Sequence, residues 1–282
     1  MSTPGMSARQ GVPLFLTALL CTALLASSGA ARTPAESGGE AGSAEPAADE
    51  AHEGPSLREF LAESEATWGI TVYDASAGRT VYSHRADEAF RMHSLAKIPM
   101  ALTALGDGAA AEDMAELIAR SDDEAANALW GRYGGPGIIG DWADRIGMES
   151  TAGPQDPSWW GHSPTTADDV RRMLEHLLRE AEPELADPVL TGMAATTDHG
   201  ADGYYQHFGI PDGLADRDWA VKQGWSCCDL DRRWLNTAGI VEGEWIVVVL
   251  AHWPDRVTDV EAQEEISDVA SRLDGFLVRE TG

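Results

Sequence analysis

Positive charge is scarce in this chain. Twenty Lys and Arg residues stand against 47 Asp and Glu, a formal net charge of −27. A surface so acidic repels nucleic acid and gives an anionic membrane nothing to hold. The apolar run Val12 to Ala26 is too short for a membrane span, so no stable span is expected in the mature chain. No Gly-rich phosphate loop occurs, and no Gly-x-Ser-x-Gly elbow, which argues against an α/β-hydrolase. His162, His199 and His207 show no metal-ligand spacing, so neither metal nor cofactor is expected.

Lysine is the scarcest charge of all. Eighteen of the basic residues are arginine; only Lys97 and Lys222 are lysine. Arginine stays protonated at any ordinary pH, whereas a crowded or buried lysine can lose its proton and act as a base. GC-rich coding bias would also thin lysine out, but it would not choose these two positions. Lys97 follows Ser94 by three residues, which puts both on one side of a helical turn. Lys222 opens Lys222-Gln223-Gly224 in a strand-like run. A serine hydroxyl needs a neighbouring base to attack near neutral pH, and Lys97 is placed to be one. His93 adjoins Ser94, but neighbours on a helix point apart.

The chain divides into three segments. Residues 1–30 read as a signal peptide, with Arg9 as a thin basic start and Ser28-Gly29-Ala30 as small residues for cleavage. Cys21 suggests lipid anchoring, but Leu20 precedes it where a small residue is expected, so removal with the signal is preferred. Residues 31–55 form an acidic linker too poor in apolar bulk to build a core. Residues 56–282 are the body, and are expected to act as a secreted or cell-envelope monomer. After export Cys227 and Cys228 are the remaining cysteines. They are adjacent, and both a disulfide between neighbours and two packed thiols stay open.

Periodicity gives the element order of the body. A short helix spans Ser56 to Ser64, and strands Trp68 to Tyr73 and Thr80 to Ser83 form a hairpin about Ala77-Gly78. Helices follow from Leu95 to Leu105, Glu112 to Arg120, Asp122 to Trp130 and Ile138 to Ile146. Gly147 to Pro164 reads as irregular. Thr166 caps a helix through Glu180, and Asp187 to Thr196 is helical too. Strands Trp219 to Trp225, Trp234 to Val241 and Glu244 to Trp253 form a meander, and Val257 to Val278 closes the chain as a helix. The fold expected is α+β: a five-stranded antiparallel sheet from both chain ends, flanked by helices, with an inserted helical lobe.

Ser94-x-x-Lys97, the stretch Ser121-Asp122-Asp123-Glu124-Ala125-Ala126-Asn127 and Lys222-Gln223-Gly224 follow one another in that frame. In order and setting they resemble the motifs of class A β-lactamases and D,D-peptidases, over roughly residues 58 to 280. The resemblance implies that Ser94 is acylated by a β-lactam or a D-Ala-D-Ala-like amide of peptidoglycan type. Lys97 would be its base, Ser121 a proton relay to the leaving nitrogen, and Lys222 the holder of a substrate carboxylate. Asp123, Gln223, Gly224 and Trp225 would touch substrate, with the N–H groups of Ser94 and Trp225 as oxyanion hole. The departures are specific. Asp123 replaces an Asn that can donate to a substrate carbonyl, and Gln223 replaces a hydroxyl residue. Ser94 and Ser121 are 27 positions apart, a trimmed lobe. The irregular loop lacks the Glu that activates the deacylating water; Glu149 and Asp156 are its carboxylates, and Asp156 before Pro157 reads as a turn residue. Ser121 could also cap the next helix, and Trp159-Trp160 could wall a cleft or plug the loop. The expected function is therefore a β-lactamase-like serine hydrolase. A penicillin-binding D,D-peptidase with slow deacylation and a non-catalytic cell-wall peptide binder are the alternatives.

Overall fold

The computed structural model describes residues 55–278. The expected signal peptide, Cys21 and residues 31–54 of the linker lie outside them. Five strands form one antiparallel sheet: β1 (Thr67–Asp74), β2 (Arg79–His84), β5 (Trp219–Asp229), β6 (Arg232–Val241) and β7 (Trp245–Pro254). Their spatial order is β2-β1-β7-β6-β5. The early hairpin and the late meander thus join where β1 pairs with β7, Ile70 opposite Val249. Two further strands, β3 (Phe90–Arg91) and β4 (Pro164–Thr165), make a separate two-residue ladder with no counterpart among the elements that periodicity predicts.

β7 shows why the sheet is central. Trp245, Val247, Val249, Ala251 and Trp253 face one apolar cluster, while Ile246, Val248 and Leu250 face the other. Side chains alternate across a strand, so an unbroken apolar run is what a strand buried on both faces requires. On the first face lie α1 (Leu57–Glu63) and α9 (Asp259–Arg272), each opened by a capping box, at Ser56 and Thr258. The other face carries the helical block: α2 (Lys97–Gly106), α3 (Ala111–Arg120), α4 (Asp123–Arg132), α5 (Pro136–Ile146), α6 (Ala167–Arg179) and α7 (Pro183–Ala194). A short α8 (Ile210–Gly213) packs against α9. α7 starts earlier than expected because Pro183 sits in its first turn, where a missing N–H costs little, and the chain accommodates Pro188 inside it. Among the described residues, no helix is long and apolar enough to cross a membrane.

Within the block, α7 meets α3 closely at Gly192. A Cβ there would lie 2.4 Å from the Ala115 carbonyl oxygen and 2.8 Å from Ile118 Cβ, so α7 approaches α3 backbone to backbone. Gly192→Ala gains up to about 1 kcal/mol of helix propensity, but it forces two helices apart at a backbone contact. A net loss on the order of 1–3 kcal/mol is expected in urea unfolding; an unchanged or higher midpoint would contradict this packing.

Candidate active site

The segment before Ser94 is fastened from two sides. Met92 N–H donates to the Ser163 carbonyl (2.9 Å), and Asn236 Nδ2 donates to the carbonyls of Arg91 (2.8 Å) and Met92 (3.2 Å). A 3-10 turn, His93–Ala96, then runs directly into α2. Lys97 Nζ consequently lies 2.7 Å from Ser94 Oγ, with Lys97 fully buried. Gly224 on β5 lets this turn reach the sheet, since a Cβ there would stand 3.0 Å from the Met92 carbonyl oxygen.

The α3–α4 corner supplies the second hydroxyl. Ser121 ends α3 in the left-handed region (φ 51°), and Asp122 caps α4 by accepting from the N–H groups of Glu124 and Ala125. Capping therefore falls to Asp122, and the Ser121 hydroxyl accepts from Lys222 Nζ at 2.9 Å. Lys222 also donates to the Gln223 carbonyl, 2.9 Å away. His93 shares the positive φ of Ser121, at 46°. Such conformations cost a non-glycine residue on the order of 1 kcal/mol and persist where surrounding structure enforces them.

Asp123, the first residue of α4, turns its carboxylate to Lys97, Oδ1 to Nζ 2.5 Å, while its side chain stays 60% exposed. Trp160 lays its ring over the same ammonium, Nζ 4.3 Å from the centroid, and donates its Nε1–H to Asn127 Oδ1 at 2.8 Å. Asn127 stands one helical turn beyond Asp123, so both face the cleft. The cleft is about 300 Å³, lined by Ser94, Asp123, Asn127, Trp159, Trp160 and Trp225 among others. Trp159 and Trp160 thus wall it rather than plug the loop. Asn127 is a site residue to which the sequence alone gives no role; its i, i+4 spacing from Asp123 is the available signal, while Trp160 realises the cleft-wall alternative.

Burial dominates the electrostatics. It lowers the Lys97 pKa, against the opposing pull of Asp123, Asp202 and Asp122. Lys222 is pushed well below the ordinary lysine value by burial first and by the positive charge of Lys97 second. His93, buried beside His162, Arg91 and Lys97, falls to about 3 and is neutral at any working pH.

The expected residues Ser94, Lys97, Ser121, Lys222 and Asp123 come together, and Trp225 joins them on the cleft wall. Gln223 does not. β5 alternates, and its buried side chain donates to the Phe208 carbonyl on the sheet's other face. Asp156 accepts from Ser158 N–H at 2.9 Å, closing an Asx turn away from the cleft lining. Cys227 and Cys228, just beyond the cleft residues Trp225 and Ser226, are joined as a disulfide.

A family described as the beta-lactamase enzyme family matches residues 109–276. The chain belongs to that family. Solved structures agree on the fold. A class A beta-lactamase from Bacteroides cellulosilyticus DSM 14838 superposes with TM-score 0.64 at 17% identity, covering 78% of this chain and 95% of that one. A beta-lactamase from Chitinophaga pinensis DSM 2588 gives 0.62 at 16%, covering 77% and 96%. An ancestral class A beta-lactamase gives 0.58 at 21%, covering 77% and 97%. A protein of Mycobacterium tuberculosis (strain ATCC 25618 / H37Rv) named "Putative lipoprotein LppW" is 37% identical over 139 residues. That match spans 47% of this chain and 44% of the relative, so the chain covers less than half the length of the curated protein it matches. The α+β arrangement of this family member is thus the class A β-lactamase fold.

The buried His93 makes one prediction about this β-lactamase fold. Below about pH 6.5 the unfolded chain protonates this imidazole, whereas the folded chain does so only near 3. Stability should therefore be insensitive to His93 above 6.5 and fall as pH drops towards 3. The loss amounts to about 2 kcal/mol between roughly pH 6.5 and 5. His93→Asn, which tolerates positive φ, should flatten the pH dependence of urea-unfolding free energy by that amount. Equal slopes in the two proteins would show that His93 ionises while folded.

Proposed function

We propose that this protein is an exported serine hydrolase that is acylated at Ser94 by a β-lactam or a D-Ala-D-Ala-like amide and then releases the acyl group to water. One observation carries the reading. A fully buried lysine amine, lowered in pKa, stands 2.7 Å from a serine hydroxyl that lines a cleft. Lys97 takes the Ser94 proton as Oγ bonds to the carbonyl carbon, and the ammonium so formed is stabilised by Asp123 at 2.5 Å. The carbonyl oxygen is received by the N–H groups of Ser94 and Trp225. Ser121, held by Lys222, passes a proton to the departing nitrogen as the C–N bond breaks, and the Lys97 ammonium gives its proton to Ser121 and becomes neutral again. Lys222 holds the substrate carboxylate, whose negative charge draws the buried amine back to its ammonium form.

Export is supported by the leader composition, and an envelope setting by the lipoprotein name of the mycobacterial relative. A second reading, a D,D-peptidase or penicillin-binding protein that deacylates lactams slowly, is favoured by one fact: the 147–164 loop brings no carboxylate to the cleft lining.

Purified protein mixed with a chromogenic cephalosporin and, separately, a fluorescent penicillin separates these readings. Rapid colour release supports hydrolysis, and a lasting fluorescent adduct supports the penicillin-binding version. Ser94→Ala should remove either signal by roughly 10⁴-fold or more. Survival of either in the folded variant excludes Ser94 as nucleophile, and absence of both from the unaltered protein excludes this substrate class.

A further inference from the structure

If Ser94 is acylated as proposed, something must activate the water that releases it. We infer that Asp123 is that base. Asp123 is the only carboxylate among the described residues that line the cleft. The two loop candidates are placed otherwise: Asp156 is bound up in its turn with Ser158 N–H, and Glu149 is exposed and outside the lining. Asp202, which also bears on both lysines, accepts from Trp225 Nε1–H at 3.0 Å and is likewise outside the lining.

Asp123 is positioned from both ends. It sits in the first turn of α4, whose N-cap is Asp122, so its backbone is fixed by the corner that also sets Ser121. Its Oδ1 shares the Lys97 ammonium with Ser94 Oγ, at 2.5 and 2.7 Å. Two oxygens on one ammonium lie within the span of a single bridging water. The side chain is 60% exposed, so water reaches it from the cleft without opening the core. The replacement of an amide by a carboxylate here, which costs a donor towards substrate, supplies the acceptor that the loop lacks.

The step balances. Water oxygen bonds to the acyl carbon while one of its protons passes to Asp123. The tetrahedral species collapses with cleavage of the bond between the acyl carbon and Ser94 Oγ. The proton on Asp123 passes through Lys97 to Oγ, which leaves Lys97 as the neutral amine. Free Ser94, ionised Asp123 and a carboxylic acid product result.

The experiment follows the Ser94 adduct by intact mass, and turnover by absorbance, with the same two lactam probes. In Asp123→Asn, adduct formation should slow through loss of the carboxylate beside the Lys97 ammonium, but release should slow by about 100-fold or more and by far more than formation, so that the acyl-enzyme accumulates. Asp123→Glu should recover part of the release rate, which a merely structural role would not. A thermal midpoint close to that of the unaltered protein shows that the amide substitution has not unfolded the corner. Release from the Asp123→Asn variant at the original rate overturns the inference, as does a parallel fall of acylation and release. A permanent adduct on the unaltered protein also overturns it, while leaving Ser94 as nucleophile. No adduct on the unaltered protein removes the proposed function and this inference together.

Discussion

Two lysine amines held out of water a few ångströms from two serine hydroxyls are the constraint on which this site depends. Burying a charged ammonium is costly unless a partner compensates it, and here the compensation is thin. Lys97 has one carboxylate, Asp123, and the face of Trp160. Lys222 has a hydroxyl and a carbonyl. Such an environment favours the neutral amine, the form that can accept a proton. The chain's use of arginine everywhere else fits this, because a guanidinium in either position could not be discharged.

The scaffold exists to hold those amines in place. Lys222 comes from β5 at the sheet edge, Lys97 from the start of α2, and Ser121 from the α3–α4 corner, so three elements must meet. Contacts that look merely structural fix the meeting point. Asn236 fastens the carbonyls of Arg91 and Met92, Gly224 leaves room for that chain, and Gly192 sets α7 against α3. The strained φ values at His93 and Ser121 are tolerated because these contacts surround them.

Local signals make much of this legible in the sequence. The Ser94–Lys97 pairing is three residues long and follows from helical geometry alone. β7 announces its central place through its apolar run, and α1, α6 and α9 through periodicity and caps. What sequence cannot supply is contact across distance. The β3–β4 ladder is two residues a side, one of them Pro164, and has no pattern to read. Lys222 finds Ser121 across 101 positions, a pairing that no local pattern encodes. In the sequence Asp123 reads as a lost hydrogen-bond donor because its partner, Lys97, lies 26 positions away. Gln223 takes a substrate role from the family motif, although strand alternation already places it opposite Lys222.

A chain with just two lysines permits their protonation to be read directly. In protein carrying isotope-labelled lysine, two side-chain Nζ environments report on Lys97 and Lys222, and one conservative substitution assigns them. Burial should make both amines lose their protons at a pH below the ordinary lysine value of 10.5. Titration of Lys97 at or above 10.5 would contradict this, since an amine that holds its proton so firmly cannot serve as base to Ser94.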